Sequence, residues 1–495
     1  MMPSRIRAGA VASLAAVAFS VVPAGGPPAG AADGPLPRAA DPGWIDEDLA
    51  SAERAGAVLD GGGLRAAPGS GAPLGAPPGG ASAPDALVTF PAHAVGGAVR
   101  AVDVDLDTSG RAAGFPVEAR GVRADGAWTE WSPAGSAPGE PPEVVRVGLP
   151  AAVERVQVRV GIVTAPDAAP DTDGDTASLS GVRLRPVAAA EGDASALPGA
   201  AFAARVFTTR IGLVGNTTAN GHKVRTNDNF AALPSRRALS AKGKGDYTVR
   251  VCTKGADERA EAPPPAAGAQ GGEQDHGARG RCVYLPVWDV GPWNTKDDHW
   301  NEERQTWDDL PRGLPQAQAA YSDGHNGGRD GSGRRVTNPA GIDLADGAFR
   351  NGLRLTDNAW VHVDYLWTAG HRHRAEISAT SAAGTVDVRP GPGTEFPVTG
   401  TAADAASVDV ECRLAGEAVK GPNGDGADWY RIGPGDYIPA AFADGGGDAP
   451  RCGGADVPSP DVPAPGVPIP DVPAPDVPAP GVPGVGGDPF AAVAG

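Results

Sequence analysis

The sequence predicts an all-β, multidomain protein, and three observations carry that expectation. Apolar and polar residues alternate over short runs, as in Ala101-Val-Asp-Val-Asp-Leu-Asp107 and Arg155-Val-Gln-Val-Arg-Val160. A period of two marks strands with one buried face. Turn residues separate these runs at short spacing, which suits small antiparallel sheets. The four cysteines, Cys252, Cys282, Cys412 and Cys452, fall two by two within candidate domains. In an exported chain that arithmetic implies two disulfides, expected as Cys252–Cys282 and Cys412–Cys452.

At 495 residues, less its tails, the chain has room for roughly two to four domains. Its balance is acidic, with a formal charge of -18 and a pI near 4.9. Phosphate neutralisation needs a basic face, so a nucleic-acid partner is not expected. Lys is scarce beside Arg, while Ala, Gly and Pro abound. That is the mark of a GC-rich coding bias and suggests an actinobacterial source.

Residues 1–31 read as a signal peptide. Arg5 and Arg7 supply the charged start, Ala8 to Val22 an apolar stretch too short to span a bilayer, and Ala29-Gly30-Ala31 a cleavage site. No later segment is long and apolar enough for a membrane span. The expected location is therefore secreted, extracellular or cell-wall associated. Residues 32–84, rich in Ala, Gly and Pro, read as a disordered linker.

Residues 85–188 carry the alternating runs of a β-sandwich. Within them lies Asp125-Gly-Ala-Trp-Thr-Glu-Trp131. Its two Trp residues read first as core aromatics beside a D-G turn. The spacing also resembles the β-rich N-terminal extension of secreted actinobacterial wall amidases, which implies a wall-binding face. Asp171-Thr-Asp-Gly-Asp175 hints at a calcium loop, but its Gly is misplaced and no bidentate Glu follows, so a solvated loop is expected.

The segment 204–369 holds the densest set of aromatics and turns. Cys282-Val-Tyr-Leu-Pro-Val-Trp-Asp-Val-Gly-Pro-Trp293 brings an acid, Asp289, between Trp288 and Trp293 at the end of a strand. Indole faces stack on pyranose rings, and a half-desolvated carboxyl holds its proton toward neutral pH. The plain alternative is a strand end whose Asp caps a turn. Two insertions interrupt the segment: Lys254 to Arg281, which reads as a floppy hairpin, and Asn294 to Asn338. The second carries Asp297-Asp-His-Trp300 and Asp323-Gly-His325, read as wet surface loop rather than metal ligands because the spacing is irregular.

The order of motifs carries a resemblance that no single motif does. Thr218-Ala-Asn-Gly221, then Leu233-Pro234, then Tyr247-Thr-Val-Arg-Val-Cys252, then Asp289-Val-Gly-Pro292, then Ile342-Asp-Leu344, then a closing Val-x-Val strand follow one another. That order resembles the double-psi β-barrel of rare-lipoprotein-A-like and expansin-like wall proteins. The resemblance implies that Asp289 is the catalytic or sugar-gripping carboxylate and that Asp343 is the structural Asp of I-D-L. It has departures. Phe230 stands where lytic transglycosylases of this type carry His. His222 follows T-A-x-G in place of an acid, and Val290 replaces Arg. His222 is the candidate for a relocated second group.

Residues 376–452 contain Val386-Asp-Val-Arg-Pro-Gly-Pro-Gly-Thr394, Asp428-Trp-Tyr-Arg-Ile432 and Tyr437-Ile438. Their short strands and Gly/Pro turns suit a small barrel, and the motifs resemble a bacterial SH3 domain, which implies binding of wall peptides. From 453 to 495 the chain is a Pro-rich low-complexity tail repeating [D/G]-V-P-x-P, extended polyproline II in character.

Together these features predict a secreted wall protein that engages peptidoglycan or another wall glycan through Asp289, His222, Trp288, Trp293 and Asp343. Non-catalytic binding is the first reading, because Phe230 replaces the expected His. The alternative is a lytic transglycosylase using Asp289 as acid/base. No Ser/His/Asp, phosphate-loop or zinc signature is present, so neither cofactor nor metal is expected, and nothing sets the oligomeric state.

Overall fold

The computed structural model describes residues 43–68, 84–110, 112–134, 144–164, 177–188, 199–255, 280–371 and 373–453. The signal peptide, the Asp171–Asp175 loop, most of the Lys254–Arg281 insertion and the Pro-rich tail lie outside them. The architecture is all-β and multidomain: four sheets serve three principal hydrophobic cores.

The sandwich is one eleven-stranded sheet folded around a single core. Strand Val144–Thr164 pairs first with His93–Ser109, then with Val117–Val122 and Ala86–Thr89. Register shifts near Gly148 and Val153 let it turn from one set of partners to the next. Its apolar alternation places Val147, Val156, Val158, Val160 and Ile162 fully inside. Each such side chain contributes about 1.5–3 kcal/mol of burial.

The linker expected over 32–84 needs correction. Ile45–Asp46, Glu53–Ala55, Ala57–Asp60 and Gly63–Ala66 are strands of that same sheet. Ile45–Asp46 pairs with Ser178–Ala188, and Glu53–Ala55 with Ala86–Thr89. These segments are poor in apolar periodicity because the edges of longer strands recruit them through backbone hydrogen bonds, which any side chain permits. Trp44 adds a stack on Arg183 and Arg185, with its ring 4.7 and 4.8 Å from their guanidinium carbons.

Six strands close the central barrel. In ring order they are Ala231–Leu233, Ala340–Ala345, Phe202–Ile211, Ala359–Tyr365, Thr248–Cys252 and Cys282–Val290. The last returns to the first through a parallel pairing, and Phe202–Ile211 with Ala340–Ala345 is also parallel. The V-x-V runs fill the interior with Val249, Val251, Val283, Leu285, Val287, Val361 and Val363. Cys252 and Cys282 face each other across neighbouring antiparallel strands and are bonded; Cys412 is bonded to Cys452.

The boundary expected near 370–376 does not interrupt the sheet. Gly400–Ala403 extends it, parallel to Cys282–Val290, and Thr385–Val388 follows. Gly400 is required there, since a Cβ would collide with the Cys282 carbonyl. Tyr284 of the barrel reaches into the C-terminal core beside Val388, Val408 and Ile438. Its hydroxyl lies 2.9 Å from Asp436, which also pairs with Arg250 at 2.8 Å. The modules are fused rather than threaded on linkers.

In the insertion 294–338, Asp323-Gly-His325 lies at the surface as expected, but the Asp297–Trp300 stretch is not a wet loop. Asp297, Asp298, His299 and Trp300 are all fully buried. The two acids are satisfied internally: Asp297 pairs with Arg304 and takes the Gln316 amide at 2.7 Å, and Asp298 pairs with Arg237 at 2.9 Å. Trp300 stacks on Tyr365, with ring centroids 5.3 Å apart. Its indole donates to Glu130 of the sandwich at 2.7 Å, and Trp367 donates to the same oxygen at 2.8 Å. Glu130 also receives Asn301 at 2.8 Å and pairs with Arg237 at 3.0 Å.

Two outcomes follow from this junction. Glu130→Ala strands four donors, so unfolding in urea should show a loss of about 3–5 kcal/mol, with the sandwich and barrel melting apart. A wild-type melting curve would refute it. His299 sits 2.6 Å from the Tyr365 hydroxyl, and burial depresses its pKa to about 3. The unfolded chain therefore binds the extra proton between that value and the ordinary 6.5. Stability is full above this window and falls as pH drops through it; His299→Gln should flatten that acid slope in pH-dependent melts.

Candidate functional site

The loop after Phe202–Ile211 is built by its own polar side chains. Thr218 donates its hydroxyl to the Asn220 side-chain oxygen at 2.8 Å, and that oxygen takes the His222 amide at 3.1 Å. Gly221 has φ +86°, and a Cβ on it would stand 3.2 Å from Ala55 of the sandwich. This explains T-A-N-G: Asn ties the loop internally, and Gly permits both the backbone and the close approach.

Asp289 lies under that loop. It is 3% exposed, and its Oδ1 accepts the Ala219 amide at 2.8 Å. Ala219 and Val290 pack with Leu87 of the sandwich and Leu239. Burial raises the Asp289 pKa from 3.8 to about 7; the Ala219 and Val290 amides oppose that rise, Asp343 adds to it, and Arg236 opposes it.

Asp343 is brought close by register. Asp289 and Asp343 are the partners of Ala232 on its two sides, and Thr209 follows Asp343 in the next strand. Partners in register share a sheet face, so the two acids stand about 10 Å apart at Cα across a methyl group. Burial also raises Asp343, to about 6, and the Thr209 hydroxyl donates to it.

Trp288 is the extra residue of a register shift between Val287 and Asp289. Its ring stands 4.7 Å from that of His222 and 5.9 Å from Phe230, and its indole donates to the Lys244 carbonyl at 2.8 Å. His222 Nε2 lies 2.7 Å from Asp228, which also takes the Arg225 amide at 2.7 Å. Phe230 is fully buried behind Trp288. Phe230 thus supports the indole from behind.

The structure brings Asp289, Asp343, Trp288 and His222 onto one end of the barrel, but it separates the two Trp residues. Trp293 packs on Ala317, Ala320 and Val336 of the insertion and donates to Asn338 at 3.0 Å. Asn338 and Thr209 both line an open recess of about 520 Å³, together with Arg210, Arg350, Thr356 and Asn358. Asp343 and Trp293 therefore meet this recess through their hydrogen-bond partners. Asp228 and Thr209 escaped sequence reasoning: neither stands in a recognisable motif, and only the fold puts them beside His222 and Asp343.

The D-G-x-W-x-x-W aromatics are interior contacts. Trp131 is 1% exposed and donates to the Leu239 carbonyl at 3.1 Å, while Arg120 stacks 4.0 and 4.4 Å from the rings of Trp128 and Trp131. Trp429 of the C-terminal segment is likewise buried and donates to the Glu417 carbonyl at 2.9 Å.

A family model described as "Domain of unknown function (DUF8814)" matches residues 202–266 and 272–364, the segment that builds the barrel. No curated protein and no solved structure matches the chain.

The buried carboxyl of Asp289 has a measurable consequence. A raised acid contributes stability below its ordinary pKa and loses it as pH rises through about 7. Asparagine keeps the acceptor for Ala219 and cannot ionise. Asp289→Asn should therefore exceed wild type in stability by on the order of 2–4 kcal/mol at about pH 8, and match it near pH 4. Parallel thermal melts at the two pH values test this; equal melting at both would show a carboxyl that titrates normally.

Proposed function

We propose that this chain is a secreted cell-wall protein that binds peptidoglycan or a related wall glycan and does not cleave it. The barrel's outer face is the glycan-binding surface, and the SH3-like segment adds contacts to wall peptides. The observation that carries this reading is a partly exposed Trp288–His222 platform above a shielded Asp289, on a barrel whose surface also carries a polar recess. A stacked indole with nearby hydroxyls and amides is the chemistry that grips sugars. A proton donor for glycoside cleavage must reach the bridging oxygen. Asp289 is instead tied to the Ala219 amide and covered by the loop. The mixed six-stranded ring and its motif order support the double-psi reading on which the wall-protein resemblance rests, and the two disulfides suit an oxidising compartment. Among the described residues no helix is long and apolar enough to cross a membrane.

A second reading keeps one specific support. Two carboxyls raised to about 7 and about 6 flank Ala232, an arrangement that a lytic transglycosylase or another glycan-cleaving enzyme could use.

Incubation with purified peptidoglycan separates the two. Binding in pull-down without soluble muropeptides is the expected result, and Trp288→Ala should weaken it about tenfold through lost stacking. Anhydro-ended muropeptides in the mass spectrum, abolished by Asp289→Asn, would establish the enzyme instead.

A further inference from the structure

We infer that the Trp288–His222 face selects an anionic wall glycan, one bearing carboxylate or phosphate groups, over a neutral one. This rests on the glycan-binding reading above and names its ligand class. The chain has only six lysines: Lys223, Lys242, Lys244, Lys254, Lys296 and Lys420. Three of them border this one platform. Lys223 and Arg225 follow His222, and Lys242 and Lys244 form the turn whose Lys244 carbonyl holds the Trp288 indole. Asn220 binds the two loops together by donating to the carbonyls of Ser240 and Ala241, at 3.2 and 3.4 Å.

All four side chains are exposed, and none has an ion-pair partner among the described residues. Two of the acids close by are engaged elsewhere. Asp228 holds His222 and the Arg225 amide; Asp246 holds Arg120 at 2.9 Å and the Ala241 amide at 3.1 Å. Glu376 interacts with Lys244 and counters part of its charge, while burial raises the Glu376 pKa. On a chain of net charge -18, this cluster of exposed cations beside one aromatic platform focuses an attractive field for anions on that face. Neutral glycan gains nothing from them. A sugar polymer carrying acid groups gains a stacking face and counter-charges in one place.

The test uses the full chain and four forms of sacculi: as isolated, stripped of phosphate-bearing polymers, with carboxylates converted to neutral amides, and with both treatments. Binding should be strong to the first, fall steeply with salt, and be lost on the fourth. Loss on the second form alone identifies phosphate as the source, and loss on the third identifies carboxylate; either outcome supports the inference. The quadruple variant K223Q/R225Q/K242Q/K244Q should bind untreated sacculi at least about tenfold more weakly, with a flatter salt dependence. R155Q, exposed on the sandwich strand Val144–Thr164, should bind as wild type does. Equal wild-type binding to all four forms, or an unaffected quadruple variant, would overturn charge selection and leave glycan binding standing. Binding to none of the four would remove both. Equal affinity for single-stranded polynucleotide would reduce the face to a non-selective anion trap and refute the inference.

Discussion

The carboxylate of Glu130 joins the sandwich to the barrel, and much of the remaining arrangement depends on it. A buried carboxylate without donors is costly, and here it meets two indoles, one amide and one guanidinium. Trp300 comes from the insertion, Trp367 from the end of the barrel and Arg237 from the turn after Leu233-Pro234. A single acid therefore fixes the relative position of three separate stretches of barrel against the sandwich. The neighbouring hydroxyl of Tyr247 extends the seam by donating to the Thr129 carbonyl at 2.5 Å.

The same rigidity continues toward the C-terminus. Arg123 donates to the Ala369 carbonyl at 3.2 Å, and Arg374 donates to the Gly126 carbonyl at 2.9 Å, so the chain leaving the barrel is held against the D-G turn of the sandwich. Arg250, Tyr284 and Asp436 then bind the C-terminal segment to the barrel from inside. Asn229, one residue past Asp228, donates to the Ala383 carbonyl at 2.8 Å. The loop that carries Asp228 thus touches the C-terminal segment directly. A ligand bound over His222 would meet both modules on one fixed surface, without an entropic cost for ordering them.

Strand identity was legible because alternation at Ala101–Asp107 or Tyr247–Cys252 reports burial directly. The disulfides were legible because each pair sits within one compact segment. Three other features were hidden for distinct reasons. The strands between Ile45 and Ala66 have little apolar content because pairing at a sheet edge uses backbone groups. The Asp297–Trp300 stretch looks like surface because its charges are neutralised by Arg304 and Arg237, the second of which lies far off in sequence. At the candidate site, Asp289 was readable as an acid at a strand end. Its pairing with Asp343 across Ala232 was not, because it depends on the order in which strands close the ring. Trp288 and Trp293 misled by proximity: a register shift and the Gly291-Pro292 turn send the two rings to different clusters.

The sandwich also sets the chemistry of Asp289, although it contributes no group to it. Ala55 and Leu87 close over Ala219 and Val290, the two residues whose amides face the carboxyl. Desolvation is the largest cause of the raised pKa, so the dryness of Asp289 comes partly from strands outside the barrel. An amide side chain at this position could hold the loop without any ionisation penalty. A carboxyl here costs stability at neutral pH, which is the usual mark of a residue shaped by a task other than folding. With Ala232 between them, Asp289 and Asp343 hold the row close to its titration range. The packing of Ala55 on Gly221 is therefore part of what keeps Asp289 dry.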